Sequence, residues 1–212
     1  MSGVLIASWA GCGILVGAAL AIWTRRFLTS NPRGLLRARP TAPLLTATLF
    51  GILAWRLGDH FDLLPYSYLA AVGVPLAVID AVEQRLPSTL VFAGIAGLGV
   101  LFAISAVVHS SGMSFLRALG GMAILAAFYL VLALASGGGL GAGDVKLGGL
   151  LGLSLGWMSW SAILAATFLG WFLAAIVWFL FRATRRASPG SLLPMGPFLL
   201  LGALISISVL PT

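Results

Sequence analysis

Charge is what this sequence has least of: 8% of its 212 residues are charged, against roughly 25% in soluble domains. Cysteine is nearly absent too. Cys12 stands alone within an apolar run, which excludes an intrachain disulfide and any zinc site built on two or more thiolates. No Lys/Glu-rich or Ser/Pro-rich tract is present from which a disordered tail or a separate water-soluble domain could be made. What fills the space is apolar. Hydrophobic residues make up 60% of the chain and the mean hydropathy is +1.11, so the expectation is one all-α, polytopic membrane domain over residues 1–212.

Apolar stretches at 4–23, 42–57, 66–82, 88–108, 115–136, 145–157, 160–181 and 194–210 predict about eight transmembrane helices, the second and sixth of them short. The first stretch has no Lys or Arg before it and Arg25 and Arg26 after it, the reverse of a cleavable signal peptide. It reads as a permanent anchor with the N-terminus outside. That orientation puts Arg25, Arg26, Arg33, Arg37, Arg39, Arg85, Lys146, Arg182, Arg185 and Arg186 inside, and leaves Arg56 and Arg117 outside. Ten of twelve cations thus obey the positive-inside rule. The net charge of +7 is explained by topology, and the seven tryptophans lie in or beside apolar spans, so nucleic acid is not an expected partner. Pro32, Pro40 and Pro43 with Asn31 and Gly34 mark 24–43 as a short, irregular, basic cytoplasmic loop.

The five acids divide by place. Asp59 and Asp62 fall in an expected outer loop beside His60, while Asp80, Glu83 and Asp144 fall at the inner ends of spans. Ionised groups within a bilayer cost about 2.5–3.5 kcal/mol at a helix centre, so such acids need a partner or a task. Asp80 lies in an apolar helix expected to end at Leu86-Pro87, because Pro87 disfavours helical geometry at the residue before it. Asp144 follows five glycines in the seven residues 137–143 and is expected near a helix N-terminus, where the dipole favours a carboxylate. Two carboxylates brought together can share a proton: one takes a proton from water while the other hydrogen-bonds a scissile carbonyl. The plainer reading has Asp144 capping its helix and pairing with Lys146, and Asp80 pairing with Arg85. Glu83 is on nearly the same face as Asp80 and is open either to a basic substrate or to an ion pair with Arg85. His60 and His109 read as solvated loop residues without a metal.

Asp80 with Leu86-Pro87, then Gly141-Ala142-Gly143-Asp144-Val145-Lys146-Leu147, resembles the paired signatures of the type IV prepilin peptidases, the bacterial branch of the GxGD intramembrane aspartyl proteases. The run from Gly148 to Trp157 and the element Pro194-Met195-Gly196-Pro197-Phe198-Leu199 continue the likeness over roughly residues 66–205. The resemblance implies Asp80 and Asp144 as a catalytic dyad that activates water without a metal; Gly141, Gly143, Glu83, Lys146 and Pro197 are the candidate substrate contacts, and no cofactor is expected. It implies a prepilin or pseudopilin substrate cut between a basic leader and a hydrophobic helix, at the cytoplasmic face of the bacterial inner membrane. The 24–43 loop lacks the Cys-x-x-Cys pairs common in the family, so N-methyltransferase activity is not predicted. Ser88 follows Leu-Pro where Asn or Asp is common. A small proton- or cation-coupled transporter using the same acids is the competing reading.

Overall fold

The computed structural model describes residues 3–24, 41–137, 140–184 and 193–210. Arg25, Arg26, Arg33, Arg37, Arg39, Arg185 and Arg186, with most of the 24–43 loop, lie outside the described residues. Those described form eight helices and no strand: α1 Gly3–Thr24, α2 Thr41–Leu57, α3 Leu63–Glu83, α4 Ser88–Val108, α5 Gly112–Ala135, α6 Ala142–Met158, α7 Trp160–Ala183 and α8 Gly196–Val209. Each expected apolar stretch coincides with one of them. In a medium without water every backbone N–H and C=O must be met within the segment, and an apolar run of this length meets that demand as helix.

Five of the eight, α1, α3, α4, α5 and α7, are long and apolar enough to cross a membrane. The remaining three do not reach that length: α2 and α6 have 17 residues and α8 has 14. At 1.5 Å per residue, α8 is about 21 Å long, against a hydrocarbon core of about 30 Å. Its ends therefore need partners from neighbouring helices.

α3 is the central helix, with Tyr66, Leu69, Ala70, Leu76 and Ile79 almost wholly enclosed. α1 and α7 lie at the rim and expose large apolar side chains such as Leu15, Phe168 and Phe179, the surface expected of helices that face lipid. α5 and α6 form the most extensive helix pair. Gly148, Gly152 and Gly156 recur at every fourth position along α6 and bring its backbone against α5. A Cβ added at Gly152 would run into the Gly121 carbonyl oxygen, so the two main chains touch.

Successive helices alternate in direction. The ends of α3, α5 and α7 and the starts of α4, α6 and α8 share one end of the bundle. There α3 stops at Glu83, three residues before the Leu86-Pro87 break expected to end it. Gln84 turns into the left-handed region (φ 52°) and its amide bonds the Asp80 carbonyl oxygen at 2.9 Å. Leu86 and Pro87 belong to the connection into α4, for which Pro87 is the N-cap.

Candidate active site

Asp80 occupies the last turn of α3 and is 5% exposed. Its carboxylate is held from a distant part of the chain: the backbone N–H of Gly196 donates to Asp80 Oδ2 at 2.9 Å. Gly196 is the first residue of α8, and Pro197 follows in the first turn, where a missing N–H is tolerated. The positive end of the α8 dipole thus faces the Asp80 carboxylate. The site has no room for a side chain at Gly196, because a Cβ there would lie 2.8 Å from Asp80 Oδ2.

Asp144 is the third residue of α6, half-buried, and its Oδ2 accepts the backbone N–H of Gly141 at 3.1 Å. This is half of a capping box, since the N-cap is a glycine without a side chain to reciprocate. Gly143 lets α6 approach the α3–α4 connection: a Cβ at this position would be 2.9 Å from the Leu86 Cβ. Gly138 and Gly139 lie outside the described residues, so of the glycine-rich run only Gly137, Gly141 and Gly143 are described.

The two carboxylates, from α3 and α6, lie within electrostatic reach of one another. Each is held through Oδ2 by a main-chain amide at a helix start. The Oδ1 of each has no hydrogen-bond partner among the described residues. The arrangement therefore offers two acids at one end of the bundle, differently exposed, each held through one oxygen by a main-chain amide.

Neither simple ion pair holds. Arg85 takes Glu83, whose Oε2 accepts from Arg85 Nε. Lys146 turns from Asp144 to donate to Ser88 Oγ at 2.6 Å, with its ammonium 5.7 Å from the Phe92 ring centre. Helix periodicity explains this: two residues on, Lys146 points away from Asp144 toward α4. Glu83, Lys146, Gly141, Gly143 and Pro197 all lie at the carboxylate end of the bundle. The residue that sequence reasoning missed is Gly196, for which the signal was Pro197, marking where α8 begins.

At the opposite end, His60 and His109 are exposed residues of the connections, as expected, and line a polar cavity of about 250 Å³ with Asp62, Arg117 and Trp157. The His109 ring packs on Phe61 with centres 5.4 Å apart, and Trp157 Nε1 donates to Asp62 Oδ1 at 3.1 Å. Among the described residues no group of three His, Cys, Asp or Glu side chains is placed to hold a metal ion.

Residues 67–180 match the model of the type IV leader peptidase family. The chain is 28% identical over 176 residues to the prepilin leader peptidase/N-methyltransferase of Pseudomonas aeruginosa, covering 79% of this chain and 57% of that protein. The protein of the same name from Neisseria gonorrhoeae is 32% identical over 161 residues, covering 76% of this chain and 54% of that one. The chain thus spans little more than half the length of these relatives. No solved structure gives a significant match.

Proposed function

The chain belongs to the type IV leader peptidase family, and from that membership we propose that it is a membrane-embedded aspartic endopeptidase that removes the basic leader from prepilin-like or pseudopilin precursors. The observation that supports this reading is that Asp80 and Asp144, 64 positions apart in sequence (144 − 80), lie at one end of the bundle within electrostatic reach of one another. One ionised carboxylate takes a proton from water as the oxygen attacks the scissile carbonyl. The other, protonated, donates to the carbonyl oxygen as it gains charge, and the proton taken from water goes to the leaving amine. The two acids titrate as a pair, so neither role belongs to one residue at rest.

A peptide must be extended at the cut, because a helical amide is shielded by its own turn. The main chain at Gly141 and Gly143 supplies an edge along which such a strand could lie. Pro197 stands beside Gly196 next to Asp80, while Glu83 and Lys146 at the same end are engaged by Arg85 and Ser88. The positive-inside bias orients this end to the cytoplasm, which is where a basic leader resides, and makes the bacterial cytoplasmic membrane the site of action. The whole of residues 1–212 forms one peptidase domain, without metal or cofactor. The relatives' names include N-methyltransferase; methyl transfer is no part of the activity proposed for this chain. A proton- or cation-coupled transporter is not favoured, since its acids belong near the bilayer midplane and these lie together at one end.

The test is leader removal from a co-expressed prepilin, read by gel shift and N-terminal mass, with Asp80→Asn and Asp144→Asn at matched membrane abundance. Loss in both variants supports the pair, and cleavage at the native rate by either one refutes it.

A further inference from the structure

Arg56 and Arg117 are the two cations that the expected topology leaves on the far side of the membrane, against the positive-inside bias. The structure gives both the same occupation. Arg117, in the second turn of α5, closes the end of α6: its Nε donates to the Gly156 carbonyl at 2.7 Å, and its Nη2 to those of Trp157 at 2.5 Å and Met158 at 2.8 Å. Arg56, at the end of α2, closes the end of α8: its Nε donates to the Ser208 carbonyl at 3.1 Å and its Nη2 to that of Leu210 at 2.8 Å.

The last four carbonyls of a helix have no partner within it, and in lipid each one left unmet costs several kcal/mol. α6 and α8 are shorter than a full span, and at their far ends a guanidinium from another helix supplies donors to these carbonyls. A guanidinium is suited to the task because its planar fork reaches two or three carbonyls at once while completing the negative end of the dipole.

These two helices are also the ones whose opposite ends carry the site. Asp144 is in the first turn of α6, and the amide that holds Asp80 belongs to the first residue of α8. Both helices approach their neighbours backbone to backbone. A Cβ at Gly152 would meet the Gly121 carbonyl, and one at Gly202 would stand 2.5 Å from the Ala166 carbonyl oxygen. A helix that slides along its axis carries both ends with it. We propose that Arg56 and Arg117 are positioning residues of the peptidase site, setting from the far end of the bundle the depth at which α8 and α6 present the Gly196 amide and Asp144. The proposal rests on the reading of Asp80 and Asp144 as the catalytic pair.

The experiment uses the full chain in nanodiscs with a prepilin-like substrate, comparing Arg56→Ala, Arg117→Ala, Arg56→Lys and Arg117→Lys with an Arg182→Gln control. In the Ala variants kcat falls about 10- to 100-fold, the scale of a displacement of about 1 Å in a reacting group. KM stays within about twofold, because no substrate contact lies at that end. The pH–rate profile is displaced by about half a unit or more as the surroundings of the acid pair change. Lys restores the charge without the fork and recovers only part of kcat. Insertion persists, since losing a cation from this end reinforces the bias.

Native kcat and pH profile in inserted variants, with only the melting temperature lowered, overturn the proposal. Should an Ala variant fail to accumulate, the corresponding Lys variant decides by the same two readings. Cleavage retained by Asp80→Asn or Asp144→Asn overturns the catalytic reading and this proposal with it. Loss in the Asn variants beside native kinetics in the arginine variants overturns this proposal alone.

Discussion

The backbone N–H of Gly196 reaches the carboxylate of Asp80 over 2.9 Å and across 116 positions of sequence. A main-chain donor at a helix start fixes the orientation of the acid without adding a second ionisable group to the site. It also makes the identity of residue 196 critical, since the added Cβ of any other residue would press on the carboxylate it serves.

Gly196→Ala is therefore expected to retain the N–H and still lose function. Its Cβ would stand 2.8 Å from Asp80 Oδ2 and force the carboxylate or the start of α8 aside. Leader cleavage should fall about tenfold or more, as misplaced reacting groups do, with the protein still in the membrane. Cleavage rates at matched membrane abundance check this, and a native rate would show that the contact is dispensable.

Neighbouring glycines on α6 should behave oppositely. Gly152→Ala drives a methyl into the Gly121 backbone, which has no side chain to yield, and overpacking of this kind costs about 1–3 kcal/mol. At Gly149 the same methyl meets only ordinary contacts, the nearest being the Ala126 Cβ at 3.7 Å. Thermal unfolding in detergent should show a lowered midpoint for Gly152→Ala and an unchanged or raised one for Gly149→Ala. Equal effects would mean that helix propensity, not the α5–α6 contact, governs both sites.

Lys146 ties the start of α6 to Ser88 at the start of α4. Hydrogen bonds to charged groups contribute about 1.5–3 kcal/mol, so Ser88→Ala should lower the thermal midpoint. Leader cleavage by Ser88→Ala should drop only a few-fold. A loss as deep as that of Asp144→Asn would place the lysine in the chemistry.

Asp62, outside the spans at the start of α3, is pushed above its ordinary value of 3.8 chiefly by burial, against which the Trp157 hydrogen bond and the nearby His60 and His109 act. A carboxyl whose folded pKa is raised destabilises the fold at pH above that value, and the penalty disappears as pH falls below the ordinary value. Asp62→Asn keeps an oxygen for Trp157 and removes the charge, so it should unfold at a higher temperature than the native chain at pH 7. The advantage should shrink toward pH 4. Midpoints measured from pH 4 to 8 test the sign, and an advantage that grows on acidification would contradict it.

Much of the site is legible in the chain. Asp80 and Asp144 stand out because charge is so scarce, and the glycine run before Asp144 announces a helix start, where the structure places it. The end of α3 falls three residues short of the expected break, because Pro87 shows only where helix is forbidden. Gln84, a residue not usually found in the left-handed region, ends it earlier. The pairings of Asp80 with Arg85 and of Asp144 with Lys146 follow from nearness in sequence alone. Each cation instead finds another partner, Glu83 or Ser88, because side chains on a helix meet according to the face they occupy.

Composition by itself determined that this chain is a set of apolar helices, since its few charges and long unbroken hydrophobic runs suit helices and not the alternating strands of a closed barrel, the other arrangement that satisfies its own polar groups in lipid. Which helix ends meet was decided only by the tertiary structure. Arg56 closes a helix 154 positions away, and Asp80 is held by an amide 116 positions away. Nothing local selects such partners. They are set by where the short helices end within the bundle, and that depends on which backbones the interfacial glycines allow to touch.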